Sequence, residues 1–215
     1  MSKNATDRKV LDDKYNELSS FQKIVIQLLS IIYEPVTLPS LLRCLYRSNV
    51  HTSTRRQDYG KKIESCIHTL QQSNLIDSQL QCNKYFVELA SRYAAAEGNF
   101  PKMAAVVQEE LPDNTSMLSS GSTKLSRLRR DLRIDLFTGK TQHFHQCLVD
   151  FFNNARGKYN SHPVVDIVNN PFDPVWFTTL PLHIRFYAIH ETLKFCLMNL
   201  QPIDDHVKYL AKGIG

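Results

Sequence analysis

Between residues 70 and 94 the chain reads LQQSNLIDSQLQCNKYFVELASRYA, and this stretch decides the predicted fold. Ser73 and Asn74 break the helical pattern before them, because both residue types favour turns over helix interiors. Leu75–Ile76 and Tyr85–Val87 have the apolar and aromatic composition of short strands, and residues 77–84 between them are mostly polar. We therefore predict a small β-hairpin with a polar tip, followed by a further helix.

Three helices are predicted before this hairpin. The first has leucine and isoleucine at helical spacing between an N-cap at Ser20 and a stop at Pro35. The second begins with Thr37 as its cap and ends near residue 48. The third covers about 53–72, with a later start near Gly60 as the alternative, because glycine weakens a helix by about 1 kcal/mol relative to alanine.

Three helices followed by a polar-tipped hairpin is the element order of the winged helix-turn-helix family. The passage from Leu70 through Asn74 into Leu75–Ile76 resembles the end of the recognition helix and the first wing strand of that family. The resemblance covers residues 19–98, which we predict as a winged helix-turn-helix domain after an N-terminal tail over 1–18. It implies that the third helix enters the major groove of double-stranded DNA and that the wing touches the backbone.

The charge distribution agrees with that implication. Residues 37–74 hold six lysine and arginine residues against two carboxylates, in a chain whose net charge is +5. Such an excess suits contact with phosphates and release of counterions. The candidate DNA-binding residues on the third helix, its preceding turn and the wing are Thr52, Ser53, Arg55, Arg56, Tyr59, Lys61, Lys62, Ser65 and Lys84. A solvated basic face and a winged helix that docks a protein remain as alternatives.

The rest of the chain is predicted to be helical. Residues 99–123 read as a short helix and a linker rich in serine and asparagine, and 124–215 read as an α-helical, repeat-like domain with a helical hairpin that turns at Gly139. A basic cluster over 124–133 wraps around its helix, so we interpret it as solvated surface. The last helix, from Asp204, resembles the opening of another repeat, and we expect the natural chain to continue. The predicted fold class is therefore mainly α, a winged helix followed by this repeat-like domain.

Two stretches of the second half carry a further resemblance. They are LRIDLFTGKTQHFHQCLVDFF (132–152) and NPFDPVWFTTLPLHIRFYAIHETLKF (170–195). Both resemble the non-catalytic N-terminal region of bacterial helicase-like proteins of the Swi/Snf type, and the motifs of the helicase core are absent from the sequence. The resemblance implies a helicase-associated accessory region.

A protein-interaction scaffold is the alternative function. In that hypothesis the winged helix is structural and the helical half binds a protein partner or the remainder of a larger chain. It predicts an exposed apolar patch near the candidate partner-binding residues Trp176 and Phe177.

The sequence predicts no enzyme, no cofactor and no metal site. It contains neither a phosphate-binding glycine loop nor a nucleophile elbow. His143 and His145 lie two residues apart on a predicted helix, so their side chains diverge by about 200°. The five cysteines are widely spaced without a CxxC pair, which predicts reduced thiols packed as small apolar side chains.

Membrane association is not expected either. The first twenty residues are polar and lack the apolar centre of a secretory signal. The most apolar stretch, residues 21–33, is too short and too polar to cross a bilayer. We therefore expect a cytoplasmic protein.

Overall fold

The structure, a computed structural model, describes residues 3–48, 56–112, 121–155, 162–169 and 172–213. These residues form twelve α-helices, which confirms the predicted mainly α class. The chain divides into two compact units, Met1–Arg130 and Asp131–Gly215. The division falls inside a helix, seven residues beyond the predicted start of the second domain at residue 124, because the first unit recruits the N-terminal turns of that helix.

The first unit contains α1 (Lys3–Asn16), α2 (Ser20–Ile32), α3 (Leu38–Arg47), α4 (Arg56–Gln72), α5 (Val87–Ala96) and α6 (Phe100–Glu110). Helix α7 (Gly121–Thr138) contributes residues to both units. The second unit continues with α8 (Thr141–Ala155), α9 (Pro163–Val168), α10 (Pro174–Thr178), α11 (Leu182–Met198) and α12 (Asp204–Ala211). The described helices follow the predicted order, with α1 and α10 as additions.

Helix α2 is the centre of the first unit, and α3, α4, α5 and α6 all pack against it. Its apolar side chains are buried almost completely, as its hydrophobic pattern predicts. The N-cap is Ser19, one residue before the predicted Ser20. The Ser19 hydroxyl accepts from the Gln22 backbone amide, while the Gln22 side chain accepts from the Ser19 backbone amide, and the two bonds form a capping box.

A buried polar cluster joins α2 to α1 and to the connection between α5 and α6. The Gln27 side chain, which is 0% exposed, donates to the Tyr15 hydroxyl at 2.6 Å and to the Glu97 carboxylate at 2.8 Å. The side-chain amide of Asn99 donates to Gln27 Oε1 at 3.1 Å. The segment predicted as a tail, 1–18, therefore contains a helix that is anchored through Tyr15.

A tight turn follows α4 in place of the predicted two-stranded hairpin. Ile76 pairs with Cys82 in a single antiparallel bridge. The part of the chain that the structure describes contains isolated bridges of this kind but no extended strand. The predicted second strand at Tyr85–Val87 is wrong. The backbone amides of Phe86 and Val87 both donate to the Asn83 carbonyl, and this turn begins α5.

The second unit is built around α11, which packs against α9. Helix α8 follows α7 after a short turn at Gly139, whose φ of 70° suits glycine, as the sequence predicts. Helix α12 is held by a cluster of rings: Phe177 lies 5.3 Å from Tyr209 and Phe172 lies 4.4 Å from His206, centroid to centroid.

All five cysteines are buried and free, which confirms their predicted packing as reduced thiols. Burial raises the pKa of Cys44 to about 11 and that of Cys66 to about 12, so both thiols stay protonated at neutral pH. None of the helices in the described ranges combines the length and the hydropathy that crossing a membrane requires.

Candidate nucleic-acid interface

Helix α4 buries one face and exposes the other. The apolar periodicity of this helix predicts that Ile63, Ile67 and Leu70 face inward. Ile63 and Leu70 are 0% exposed, whereas Ile67 is half-buried, and Cys66 is 5% exposed. Lys61 and Lys62 lie on the exposed side. Ser65 is one turn further along the same side, because residues three and four apart share a helix face. The structure thus brings three of the predicted DNA-contacting residues onto one open surface, here called the α4 face.

The ammonium group of Lys62 has an aromatic neighbour. Its Nζ lies 4.6 Å from the centroid of the Phe21 ring, which belongs to α2. This cation–π contact fixes the lysine side chain against the helix bundle while the residue stays exposed.

Several predicted contacts cannot be placed. Thr52, Ser53 and Arg55 lie outside the described residues. Arg56 and Tyr59 belong to the first turns of α4, and their side chains are outside the described part of the structure. The α4 face is therefore defined by Lys61, Lys62 and Ser65.

The turn after α4 is held by backbone hydrogen bonds. The Asp77 amide donates to the Gln81 carbonyl at 3.0 Å, and the Val36 amide, between α2 and α3, donates to the Gln79 carbonyl at 3.2 Å. The turn is thus tied to the segment that precedes α3. Lys84 follows it, exposed, with its ammonium 4.8 Å from the centroid of the Tyr85 ring.

An open groove runs along this turn, with Asn74, Asn83 and Lys84 among its polar lining residues and Tyr85 at its edge. The Tyr85 side chain is 57% exposed. A cation, two amide side chains and an aromatic ring can together contact a sugar–phosphate backbone.

The arginines of α3 form ion pairs with carboxylates of the same unit. Arg43 Nε lies 3.0 Å from Glu110 Oε2, and Arg47 contacts Glu110 at 2.5 Å and Glu109 at 2.6 Å. Hydrogen bonds from Arg47 and Arg43 hold the pKa of Glu110 below its usual range. Two of the six cations in the predicted basic region therefore pair with carboxylates of α6, which the local charge count did not include.

The second basic cluster is not simply solvated surface. Arg130 is 1% exposed, and its Nη1 lies 3.1 Å from Glu34 Oε1 and 3.0 Å from the Leu111 carbonyl oxygen. Arg133 is also buried. The predicted solvated surface is therefore wrong for these two residues. The partners of Arg130 come from outside its helix and could not be read from the helix pattern.

The predicted partner-binding pair differs in exposure. Phe177 is 0% exposed, so its assignment to a docking surface is wrong; its ring is part of the cluster that holds α12. Trp176 is half-buried, with its ring 4.9 Å from that of Phe137. Adjacent residues on a helix point in different directions, and the sequence alone did not decide which one faces inward.

One cluster of metal-ligating groups was missed by the sequence reasoning. Asp135, His143 and Cys147 place one ligand atom each within 4.8 Å of one another. His143 and His145 diverge on the helix, but Cys147 lies four residues from His143 and therefore on the same helix face. That spacing was the available signal.

Comparison of this chain with protein families, curated proteins and solved structures finds no match.

Proposed function

We propose that this chain is a non-catalytic binding module that contacts double-stranded DNA through the α4 face and the turn after it, in the manner of a winged helix. The observation that carries the proposal is the orientation of α4. Its apolar residues pack inward and leave Lys61, Lys62 and Ser65 on an open surface.

The arrangement around α4 supports the same function. Helices α2, α3 and α4 precede a turn closed by the Ile76–Cys82 bridge, which is the element order of a winged helix with a minimal wing. Lys84 gives that turn a cation. A helix that presents lysines beside a basic turn can place positive charge on two neighbouring stretches of backbone phosphate.

Electrostatic binding of this kind depends on salt. We expect a labelled duplex of mixed sequence to bind in fluorescence anisotropy at about 50 mM salt and to bind at least about tenfold more weakly at about 200 mM. Lys61→Glu combined with Lys62→Glu should lower the affinity by at least about tenfold at the lower salt concentration, because two phosphate contacts become repulsive.

The matched control is Lys14→Glu combined with Lys102→Glu. Both lysines are exposed, on α1 and α6, and the change in net charge is the same. The control should change affinity by less than about threefold. Lys61→Glu alone keeps the Lys62–Phe21 contact and guards against an effect on folding. Absence of binding at low salt, binding that ignores salt, or equal losses in the two double variants would reject the proposal.

A protein-docking role for the second unit is the second candidate, and an apolar stripe on α11 favours it. Leu182, Phe186 and Leu197 are 49%, 51% and 63% exposed, and their spacing of four and eleven residues places them on one helix face. Exposed apolar residues that recur on one helix face are typical of a surface that another protein covers.

The dye ANS, which binds exposed apolar surface, can test for that stripe. We expect the folded protein to enhance ANS fluorescence and Phe186→Glu with Leu197→Glu to lower the enhancement, because the two substitutions remove exposed apolar surface. Val149→Glu, at an exposed position of α8, serves as the control and should change little. Equal signals from the parent protein and the double variant would remove the support for this candidate.

A further inference from the structure

Three side chains of different ligand chemistry meet where α7 passes into α8. His143 Nδ1 lies 2.6 Å from Asp135 Oδ2. Cys147 Sγ lies 3.7 Å from His143 Nδ1 and 3.9 Å from His143 Nε2. All three residues belong to the second unit, so the cluster is complete within one compact body.

The local sequence explains why they meet. His143 and Cys147 are four residues apart on α8, which stacks their side chains on one face. The turn at Gly139 reverses the chain within two residues of the α7 end, and the Lys140 amide donates to the Asp135 carbonyl at 3.0 Å. The last full turn of α7 is thereby held beside the first turns of α8.

The cluster contains a buried carboxylate oxygen without a hydrogen bond from the described residues, which is unusual for side chains that only pack in a core. Asp135 is 1% exposed, and its Oδ1 accepts no hydrogen bond from the residues that the structure describes. An ionised carboxylate is costly to bury unless its oxygens are paired. Burial raises the pKa of Asp135, while the hydrogen bond with His143 opposes that shift.

The surroundings are negative as well. Burial, followed by the charges of Asp135 and Asp131, raises the pKa of Cys147 to about 12, and Asp150 acts in the same direction. Lys140 is the cation near Asp135 and offsets part of this potential. Several carboxylates around a buried thiol favour entry of a divalent cation, which would stabilise the thiolate that these charges otherwise disfavour.

We propose that Asp135, His143 and Cys147 bind a divalent cation of the zinc class, with water in the fourth coordination position. Carboxylate, imidazole and thiolate together are ligands that Zn²⁺ accepts, and the thiolate disfavours Mg²⁺ and Ca²⁺. Three protein ligands leave the position that water or another small ligand takes in an open zinc site.

Two of the three ligand–ligand distances can be compared with zinc geometry, and the third, from Asp135 to Cys147, is at most 4.8 Å. Tetrahedral ligands at zinc bond lengths are separated by about 3.3 to 3.8 Å. The Cys147–His143 separation of 3.7 Å already matches. The Asp135–His143 pair must open by about 1 Å, which the half-exposed His143 side chain, at 56%, can achieve by rotation of its ring. Binding replaces the Cys147 thiol proton and any proton shared by His143 and Asp135, and these protons pass to the buffer.

A cysteine nucleophile with a histidine base is the competing interpretation of the same three residues. Cys147 is 6% exposed, so a substrate cannot reach its sulfur without local opening. The sulfur also lies almost equally far from both ring nitrogens, whereas proton transfer requires alignment with one of them. The metal assignment uses all three groups and requires the Asp135–His143 pair to open by about 1 Å.

Cobalt(II) tests the proposal directly, since a Co²⁺–thiolate bond gives a charge-transfer absorption and tetrahedral Co²⁺ gives visible bands. We expect the full chain to bind one Co²⁺ with both signals, and an equimolar amount of Zn²⁺ to remove them. His143→Gln should weaken binding by more than about tenfold, and Cys147→Ser should remove the charge-transfer band. Zn²⁺ should also raise the Tm of the parent protein and leave that of His143→Gln unchanged.

The control is His145→Gln, an exposed histidine on the same helix whose ring nitrogen bonds the Thr141 carbonyl. It should bind Co²⁺ as the parent does. His143 is exposed, so His143→Gln keeps the core intact, and its helical circular dichroism should match the parent's. The assignment fails if no visible bands appear, if they persist in His143→Gln, or if His145→Gln loses them. These readouts need no DNA and stand apart from the proposed function.

Discussion

Glu34→Gln is expected to lower the free energy of unfolding of the first unit by about 3 to 5 kcal/mol, because it leaves a buried guanidinium without its counter-charge. Arg130 is 1% exposed, and Glu34 is 8% exposed. They meet at 3.1 Å, while Arg127 Nε lies 3.6 Å from the other Glu34 oxygen. Removing one partner of such a pair costs more than the pair contributes when intact.

Urea unfolding followed by circular dichroism measures this effect. Glu34→Gln combined with Arg130→Met removes both charges, and it should recover at least about 1 kcal/mol relative to the two single losses added together. Lys61→Met, at an exposed position of the same unit, should change stability by less than about 0.5 kcal/mol. Additive losses in the double variant would mean that Glu34 and Arg130 are not energetically coupled.

Gln27→Leu should be the second large change, with a loss of about 1 to 3 kcal/mol although leucine is more apolar. The substitution removes the donor to Tyr15 and Glu97 and the acceptor of the Asn99 amide. Burial raises the pKa of Tyr15 far above its usual value, so its hydroxyl stays protonated and donates to Glu97 at 3.2 Å. The Tyr15–Glu97 bond cannot replace the three hydrogen bonds that are lost.

Thermal and urea unfolding compare Gln27→Leu with Gln22→Leu, a half-buried glutamine at the start of the same helix. Gln22→Leu removes one arm of the capping box and should cost about 0.5 to 1 kcal/mol. If Gln27→Leu were neutral or stabilising, the polar cluster would add nothing to the stability of the α1–α2–α5 packing.

Local patterns predicted the elements whose signals are local. The apolar periodicity of α2 and α4, the Thr37 cap of α3 and the Gly139 turn all appear as expected. In each case the deciding residues lie within one or two turns of the feature. The structure places Ile63 and Leu70 inward for the same reason.

The predictions failed where residues distant in the sequence determine the local structure. Tyr85–Val87 has strand composition, yet Phe86 and Val87 are buried at the start of α5, which packs along α2. Tyr15 gives little sign in sequence that its helix is anchored, since its partner Glu97 is 82 residues away. The acceptor of Arg130 is 96 residues away.

The candidate interface shows the same limit. Charge counting along residues 37–74 included Arg43 and Arg47 in the excess that suits phosphate contact, but their carboxylate partners are 62 to 67 residues further on. The Asp135–His143–Cys147 cluster is different, because its members lie within thirteen consecutive residues. A search for ligands four residues apart on one helix would have found two of the three.

Glu109 and Glu110 pair with Arg43 and Arg47, so these carboxylates compete with any external anion for the two arginines. The glutamate oxygens sit on the guanidinium groups in the positions that phosphate oxygens would take. A polyanion that bound at α3 would have to compete with these carboxylates for Arg43 and Arg47, which would weaken purely non-specific attraction to this part of the surface.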